Sequence, residues 1–528
     1  MPRITPLPAE TDPLRRILSR HDVRLTDGVL HLVGDDTAPA EARDSDLRFV
    51  ADALEAAGVD VLLVRDTNRR PKIVVDLMDA AAALAALRLA AAREPLYVKS
   101  AGEDPTPVHT ATIPGDTVSA MAIFRPRTSV DGAFRYGSGF APQLEFWRFG
   151  EALVEAPRPN ALTRRVMAAD DLAFVEVERH GRRWRTIEGM FEPHANEFTG
   201  DVDMVFSWVD GTDSEFQRQR AARMQGYVVG DGDDAPARYR QIDELRYALR
   251  SVHMFAPWIR RIFIVTDSPR PAWLAEHPGV TIVRSEEFFA DPSTLPTHNS
   301  HAVEAQLHRI EGLAEHFLYS NDDMFFGRPV TPELFFSGSG VSRFIESGVR
   351  IGAGEPATER SGHDNALRRN RALLRERFGR VITHDLEHSA VPMRRSIAAE
   401  LEQTFAADYA RTAGNRFRSA TDVSVTNSLY HYYALFTGRA VVTTEPRVRY
   451  IQTTKLDSLR RMERLLERRD TDMFCLNDGS EPEIPEEMRV KALRSCLERY
   501  FPVRAPWERV SSELSGSAAS EPSAATIG

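Results

Sequence analysis

Between residues 13 and 100 the apolar positions alternate between helical and strand spacing. "DLRFVADALEAAGV" (46–59) spaces them as an amphipathic helix does, "DVLLVRD" (60–66) is a short unbroken run suited to a buried strand, and "AAAALAALRLAAAR" (80–93) predicts an alanine-rich helix. Residues 101–198 carry more Pro, Gly and aromatics, with strand-like pieces in "MAIFRP", "LEFWRFG" and "AFVEVERHGRRWRTIEGMF". The texture changes at "PHANEFTG" (193–200), so a boundary is placed near residue 198, after a smaller N-terminal α/β region.

Beyond that boundary four apolar runs end in polar turns. "DVDMVFSWVDGTD" is a strand entering an acidic, Gly-containing turn, and "IDELRYALRSVHMFAPWI" has helical spacing. "RRIFIVTD", "GVTIVRSEEFF" and "HFLYSNDDMFF" predict three further strands. Strands alternating with helical segments imply an α/β fold with a mostly parallel sheet, and in such sheets ligands bind beyond the carboxyl ends of the strands. Asp210, Asp267 and the pair Asp322–Asp323 all fall at those ends. Residues 338–362 read as a loop or ribbon over such a site, followed by helical segments in "HDNALRRNRALLRERFG", "SIAAELEQTFAADYART" and "SVTNSLYHYYALFTG". The expected organisation is 1–198, a catalytic region 199–510, and a small, polar, disordered tail 511–528.

Composition narrows the class. A chain of 528 residues with 42% hydrophobic content buries a sizeable core. A net charge of −10 argues against nucleic-acid binding by bulk electrostatics. Lysine occurs only at 72, 99, 455 and 491, so nearly all cations are arginines, whose planar forks suit phosphates. Two cysteines, Cys475 and Cys496, make neither a disulfide framework nor a four-ligand zinc site. No stretch has the apolar length of a signal peptide or a membrane span. The expectation is a cytoplasmic protein with at most peripheral membrane contact.

Two adjacent carboxylates ending a buried strand can hold a divalent cation, and such a cation can neutralise a diphosphate. A solvated turn with Asp capping the next helix gives the same "NDD", but further acidic turns at neighbouring strand ends favour a site. His298, His301 and His308 lack the carboxylate or cysteine pattern that completes a histidine metal site.

The blocks "DVDMVFSWVDGTD", "IDELRYALRSVHMFAPWIRRIFIVTD", "LPTHNSHAVEAQLHRIEGLAEHFLYSNDDMFF", "EHSAVPMRRSI" with "FRSATDVSVTNSLYHYYAL", and "FCLNDGS" resemble, in order, the conserved regions of the Stealth sugar-phosphotransferases, over about residues 201–480. The resemblance implies a catalytic domain like those of nucleotide-sugar transferases (Rossmann-like or GT-A-like) with helical additions. It further implies transfer of a sugar-1-phosphate from a UDP-sugar, a UDP-N-acetylhexosamine or UDP-hexose, to an acceptor hydroxyl with release of UMP, in capsule or exopolysaccharide synthesis. Asp323 and Asp322 match the family's acidic pair. Asp323 is assigned the hydroxyl-facing carboxylate and Asp322 a metal ligand, with the two roles interchangeable. His388 matches the family's histidine and Arg418 its arginine, as acid–base or phosphate-binding groups. Asp203, Trp208, Asp210, Gly211, Arg246, Arg250, Asn299 and Ser300 are assigned to the donor. Trp208 as core, and Arg246 and Arg250 as partners of Asp243 or Glu244, are equally open readings. Asp478 joins Asp322 and Asp323 as ligand to Mg²⁺ or Mn²⁺. The chain lacks the long insertions by which animal members recruit proteins, so a glycan acceptor is expected. Residues 1–198 lie outside the resemblance; glycan binding, contact with a polysaccharide-synthesis complex and homo-oligomerisation are all open to them. The rival readings are a metal-dependent glycosyltransferase releasing UDP and a non-catalytic glycan-binding scaffold.

Overall fold

A computed structural model of the chain describes residues 13–34, 37–112, 117–214, 217, 218, 221, 242–479 and 482–509, so the tail expected to be disordered lies outside the described residues. The chain divides into two compact units, Met1–His194 and Ala195–Gly528.

In the first unit the helices Pro39–Glu55 and Ala80–Ala90 turn Leu47, Val50, Leu54, Ala83 and Leu87 inward at helical spacing. These residues share one core with Leu63, Ile73, Val75, Ile123, Leu144 and Phe146. The latter come from an eight-stranded mixed sheet in which Pro71–Asp76 runs parallel to Gln143–Phe149 and the other pairs are antiparallel. The run 173–191 forms a hairpin, Phe174–Arg179 with Arg182–Ile187, turning at His180–Gly181 with positive φ at both residues.

The second unit is built on five strands. Four are the apolar runs, β1 (Val202–Ser207), β2 (Ile262–Val265), β3 (Val280–Val283) and β4 (His316–Asn321), with the helix α1 (Glu244–Phe255) between β1 and β2 and the short α2 (Ser300–Glu304) before β4. β5 (Met324–Phe326) follows at once, then α3 (Gly362–Phe378), β6 (His384–Leu386), β7 (Val391–Arg394), β8 (Val448–Gln452), β9 (Met473–Asn477) and α4 (Glu486–Tyr500). The main sheet has the order β3-β2-β1-β4-β7, parallel except for the edge strand β7. Burial on both faces explains why its inner strands are unbroken apolar runs. From β1 the sheet grows through β2 and β3 to one side, and then resumes at β4 on the other. The strand order therefore reverses between β1 and β4, where Ser207 pairs with Asn321, and this is where a doubly wound sheet opens a crevice. Part of the expected ribbon is strand: Glu346–Arg350 pairs antiparallel with β6.

Candidate active site

The pair Asp322–Asp323 occupies the turn by which the chain leaves the main sheet. β4 ends at Asn321, and β5 enters a second sheet, antiparallel to β9, which is itself parallel to β8. The turn is pinned from β9: Leu476 N donates to Asp323 O (3.0 Å), Asn477 Nδ2 to Asp323 Oδ2 (3.2 Å), and the Cys475 thiol to the same oxygen (3.5 Å). The other oxygen, Asp323 Oδ1, is buried without a hydrogen-bond partner. Burial pushes the Asp322 carboxyl well above its ordinary value, with the charges of Asp323 and Glu244 adding to the effect. Burial also raises Asp323, against the opposing pull of His388, Cys475 and Asn477.

His388 lies between β6 and β7, with its ring against Tyr450 of β8 (centroids 4.8 Å apart). Burial holds its imidazole below the ordinary value, opposed by Asp323 and reinforced by His363. Asp323 and His388 thus lie in each other's field at the mouth of the crevice. His363, in the first turn of α3, is joined to Asp385 of β6 through Nε2 and Oδ2 (2.8 Å), and Asp385 Oδ1 accepts from Leu386 N (2.8 Å).

Arg418 donates from Nη2 to Ser300 Oγ (2.8 Å). Its stem crosses α3 at Gly362, where a Cβ would lie 2.7 Å from Arg418 Cβ and 2.8 Å from Cδ; only glycine admits it there. Arg418 also acts on Tyr319 of β4, whose hydroxyl burial raises far above its ordinary range, with Glu304 adding to the rise and Arg418 opposing it. Tyr319 donates to Asn321 Oδ1 (3.0 Å), and Thr426 Oγ1 donates to Glu304 Oε2 (2.6 Å) beneath it. Asp323, His388, Arg418 and Ser300, read from the sequence, therefore sit in one neighbourhood at the end of β4.

Other assigned residues sit elsewhere. Asp203, fully buried near the opposite end of β1 from Ser207, accepts from Arg260 Nε (2.9 Å) and Nη2 (2.6 Å) and from Ala314 N (2.7 Å), so its carboxylate is engaged in a structural ion pair away from the β1/β4 switch point. Among the described residues Arg246 and Arg250 pair with neither Asp243 nor Glu244. Both grip Glu508 after α4, at 2.6 Å each, and Arg250 Nη1 also donates to Phe501 O (2.8 Å). Asn299 caps α2 by accepting from His301 N (3.1 Å), and its Nδ2 donates to Asp422 Oδ2 (2.8 Å) and to the carbonyls of Asn415 and Phe417; it is a buried brace, not a sugar contact. Trp208 is only 7% exposed, which is the core reading of this indole. Asp210 and Gly211 remain beyond the end of β1, where Asp210 Oδ1 closes an Asx turn on Thr212 N (2.9 Å).

Asp478 does not join the acidic pair. Side chains alternate along an extended segment, so while Asn477 reaches Asp323, Asp478 accepts from Thr453 Oγ1 and faces Arg489 (3.7 Å). Among the described residues no three His, Cys, Asp or Glu side chains converge on one metal position. Two adjacent carboxylates with one open buried oxygen still suit a hard cation that takes its other ligands from water and a diphosphate. His298, His301 and His308 form no centre: His298 stacks on Phe417 (5.3 Å), His301 lies 3.8 Å from Asp422, and His308 bonds Glu402 (2.8 Å). The sequence reading missed Tyr450, His363, Asp385 and Cys475. Only Cys475, inside "FCLNDGS", stood in a block already singled out; the others have nothing local to mark them.

An α/β transferase-type crevice with paired carboxylates, histidine and arginine defines the class. The four conserved regions of the Stealth proteins match residues 200–228, 238–344, 387–435 and 463–516. The exopolysaccharide phosphotransferase CpsY of Mycobacterium tuberculosis is 52% identical over 484 residues, 90% of each chain. An exopolysaccharide phosphotransferase of Nocardia farcinica is 51% identical over 496 residues, 93% of this chain and 92% of that one. The chain belongs to the Stealth family of phosphotransferases. Among solved structures, the galactosyltransferase LgtC, in complex with donor and acceptor sugar analogs, aligns with 61% of this chain and 98% of its own at 12% identity and a TM-score of 0.28.

Proposed function

We propose that this protein transfers a sugar-1-phosphate from a UDP-sugar, a UDP-N-acetylhexosamine by preference, to a glycan hydroxyl in exopolysaccharide or capsule synthesis, releasing UMP. The relatives' names support the exopolysaccharide role. The observation that carries the reaction is the placement of Asp322–Asp323, with the open Asp323 Oδ1, at the β1/β4 switch point facing His388. In the reaction the acceptor oxygen forms a bond to the β-phosphorus. The bond from that phosphorus to the bridging oxygen breaks, UMP leaves with the electron pair, and the hydroxyl proton passes to a base of the site. Arg418 binds the transferring phosphoryl group through its guanidinium fork, and His388 contacts the same group from the β6–β7 side. Asp322 and Asp323 would hold Mg²⁺ or Mn²⁺, which when bound supplies positive charge to the diphosphate oxygens.

The test is the nucleotide released from a panel of UDP-sugars with a glycan acceptor and Mg²⁺ or Mn²⁺, resolved by ion-exchange chromatography. UMP, with the sugar retained as its phosphodiester on the acceptor, is the expected result. UDP would mean cleavage on the sugar side and would replace this reading with glycosyl transfer.

A further inference from the structure

We propose that the proton acceptor for the attacking hydroxyl is His363, oriented by Asp385, and that Asp323 does not take this proton. The inference rests on the phosphotransfer reading above. Asp323 is poorly placed for a bulky glycan: one carboxylate oxygen is engaged by Asn477 and Cys475, and the other is buried. His388 has a ring contact with Tyr450 but, among the described residues, no hydrogen-bonding partner that would fix which nitrogen carries its proton. His363 has both properties that a general base needs. Its Nε2 faces the carboxylate of Asp385 at 2.8 Å, which is acceptor-only when ionised, so the neutral ring carries its proton there and leaves Nδ1 as the lone-pair acceptor. Its side chain is 35% exposed, so an acceptor can reach it.

Base oriented by a third group is the triad arrangement, here with Asp385 itself anchored by Leu386 N. Position agrees. His363 directly follows Gly362, the residue that carries the Arg418 stem, and both His363 and Asp385 act electrostatically on His388. The pair His308–Glu402 has the same 2.8 Å geometry without the same prospects, because His308 is 7% exposed and Glu402 is also held by Arg309. In the step proposed, the proton moves from the acceptor hydroxyl to His363 Nδ1 as the new oxygen–phosphorus bond forms and UMP departs.

The experiment is steady-state kinetics on the full chain, using the best UDP-sugar of the panel with partially hydrolysed exopolysaccharide as acceptor, alongside thermal melting of each variant. His363→Ala should lower kcat for transfer by about 100-fold or more while the donor KM stays within about twofold, and added imidazole should restore part of the rate. Asp385→Asn should lower kcat by about tenfold or more in the same pattern. If His363→Ala fails to melt cooperatively, His363→Gln carries the same test with nearly the same volume. Unchanged kcat in a folded His363 variant, or a loss confined to donor KM with no imidazole rescue, overturns the assignment. Wild-type release of UDP overturns the phosphotransfer reading instead, and the two failures are told apart by which protein shows them.

Discussion

At the residue scale, Asp322 and Asp323 carry the cost of the site. Both carboxyls are pushed up by burial, which means that their charge is disfavoured in the folded chain and that ionisation at neutral pH subtracts from stability. Asp322→Asn is therefore expected to abolish transfer while melting at a higher temperature than wild type in metal-free buffer. Addition of Mg²⁺ should raise the melting temperature of wild type and leave that of the variant nearly unchanged; calorimetry with and without EDTA checks both halves. An Asp322→Asn chain that melts lower than wild type in EDTA would contradict this account. A second residue-scale prediction concerns Gly362. The Cβ of Gly362→Ala would press on Arg418 Cβ and Cδ, so the guanidinium must shift. Activity should fall by about tenfold or more with the melting temperature little changed, because on the proposed reading the displaced group positions phosphate. The acidic pair, His388 and Arg418 were legible from type and motif context. His363 and Asp385 were not, because what marks them is a 2.8 Å contact made across the fold.

At the element scale, legibility followed burial. The three inner strands β2, β1 and β4 are enclosed on both faces and so read as largely apolar runs, while β3 is short and apolar at the opposite edge from β7. The fifth strand, β7, was missed because it is four residues long, contains Pro392 and lies at the sheet edge, where a missing N–H is tolerated. The face of α1 was misread for a different reason. Arg246 and Arg250 sit one turn apart, as their spacing requires, but their partner Glu508 lies 258 residues beyond Arg250, and nothing local announces it. Glu508 and Arg250 are both buried, so breaking this cluster leaves a buried charge unpaired. Arg250→Ala is expected to cost about 3–5 kcal/mol of stability. The pH dependence has a definite sign. Burial raises the Glu508 carboxyl, but Arg250, the Ala505 N–H and Arg246 outweigh it, so the folded value lies below the ordinary 4.5. The stabilisation is complete above the unfolded value and is lost as the pH falls through the lowered folded value. Urea unfolding of wild type and Glu508→Gln should differ most near neutral pH and converge only as the pH falls through the lowered folded value.

At the scale of the whole molecule, every residue brought into the crevice belongs to the second unit, from Ser207 at the end of β1 to Asn477 at the end of β9. The segments that build it are scattered, since β4, α3, the β6–β7 turn, the Arg418 loop, β8 and β9 each contribute one or two side chains. Such a site depends on the unit's own core, the cluster running from Val205 and Phe263 through Phe317 and Leu374 to Tyr430 and Ala440, and not on any one motif. The first unit has a separate core of its own around Leu63, Ile73, Leu144 and Phe146. Among the described residues no helix is long and apolar enough to cross a membrane. A chain beginning at Ala195 should accordingly fold cooperatively and still release UMP from the UDP-sugar, with donor KM within about threefold of the full chain. If the first unit holds the glycan, the truncated chain should lose rate mainly through a raised KM for long acceptors, while short acceptors react nearly as before. Measuring both KM values on acceptors graded by length separates the possibilities: a uniform loss of kcat at every length would mean that the first unit supports the catalytic geometry itself, and the assignment of the whole site to the second unit would then fail.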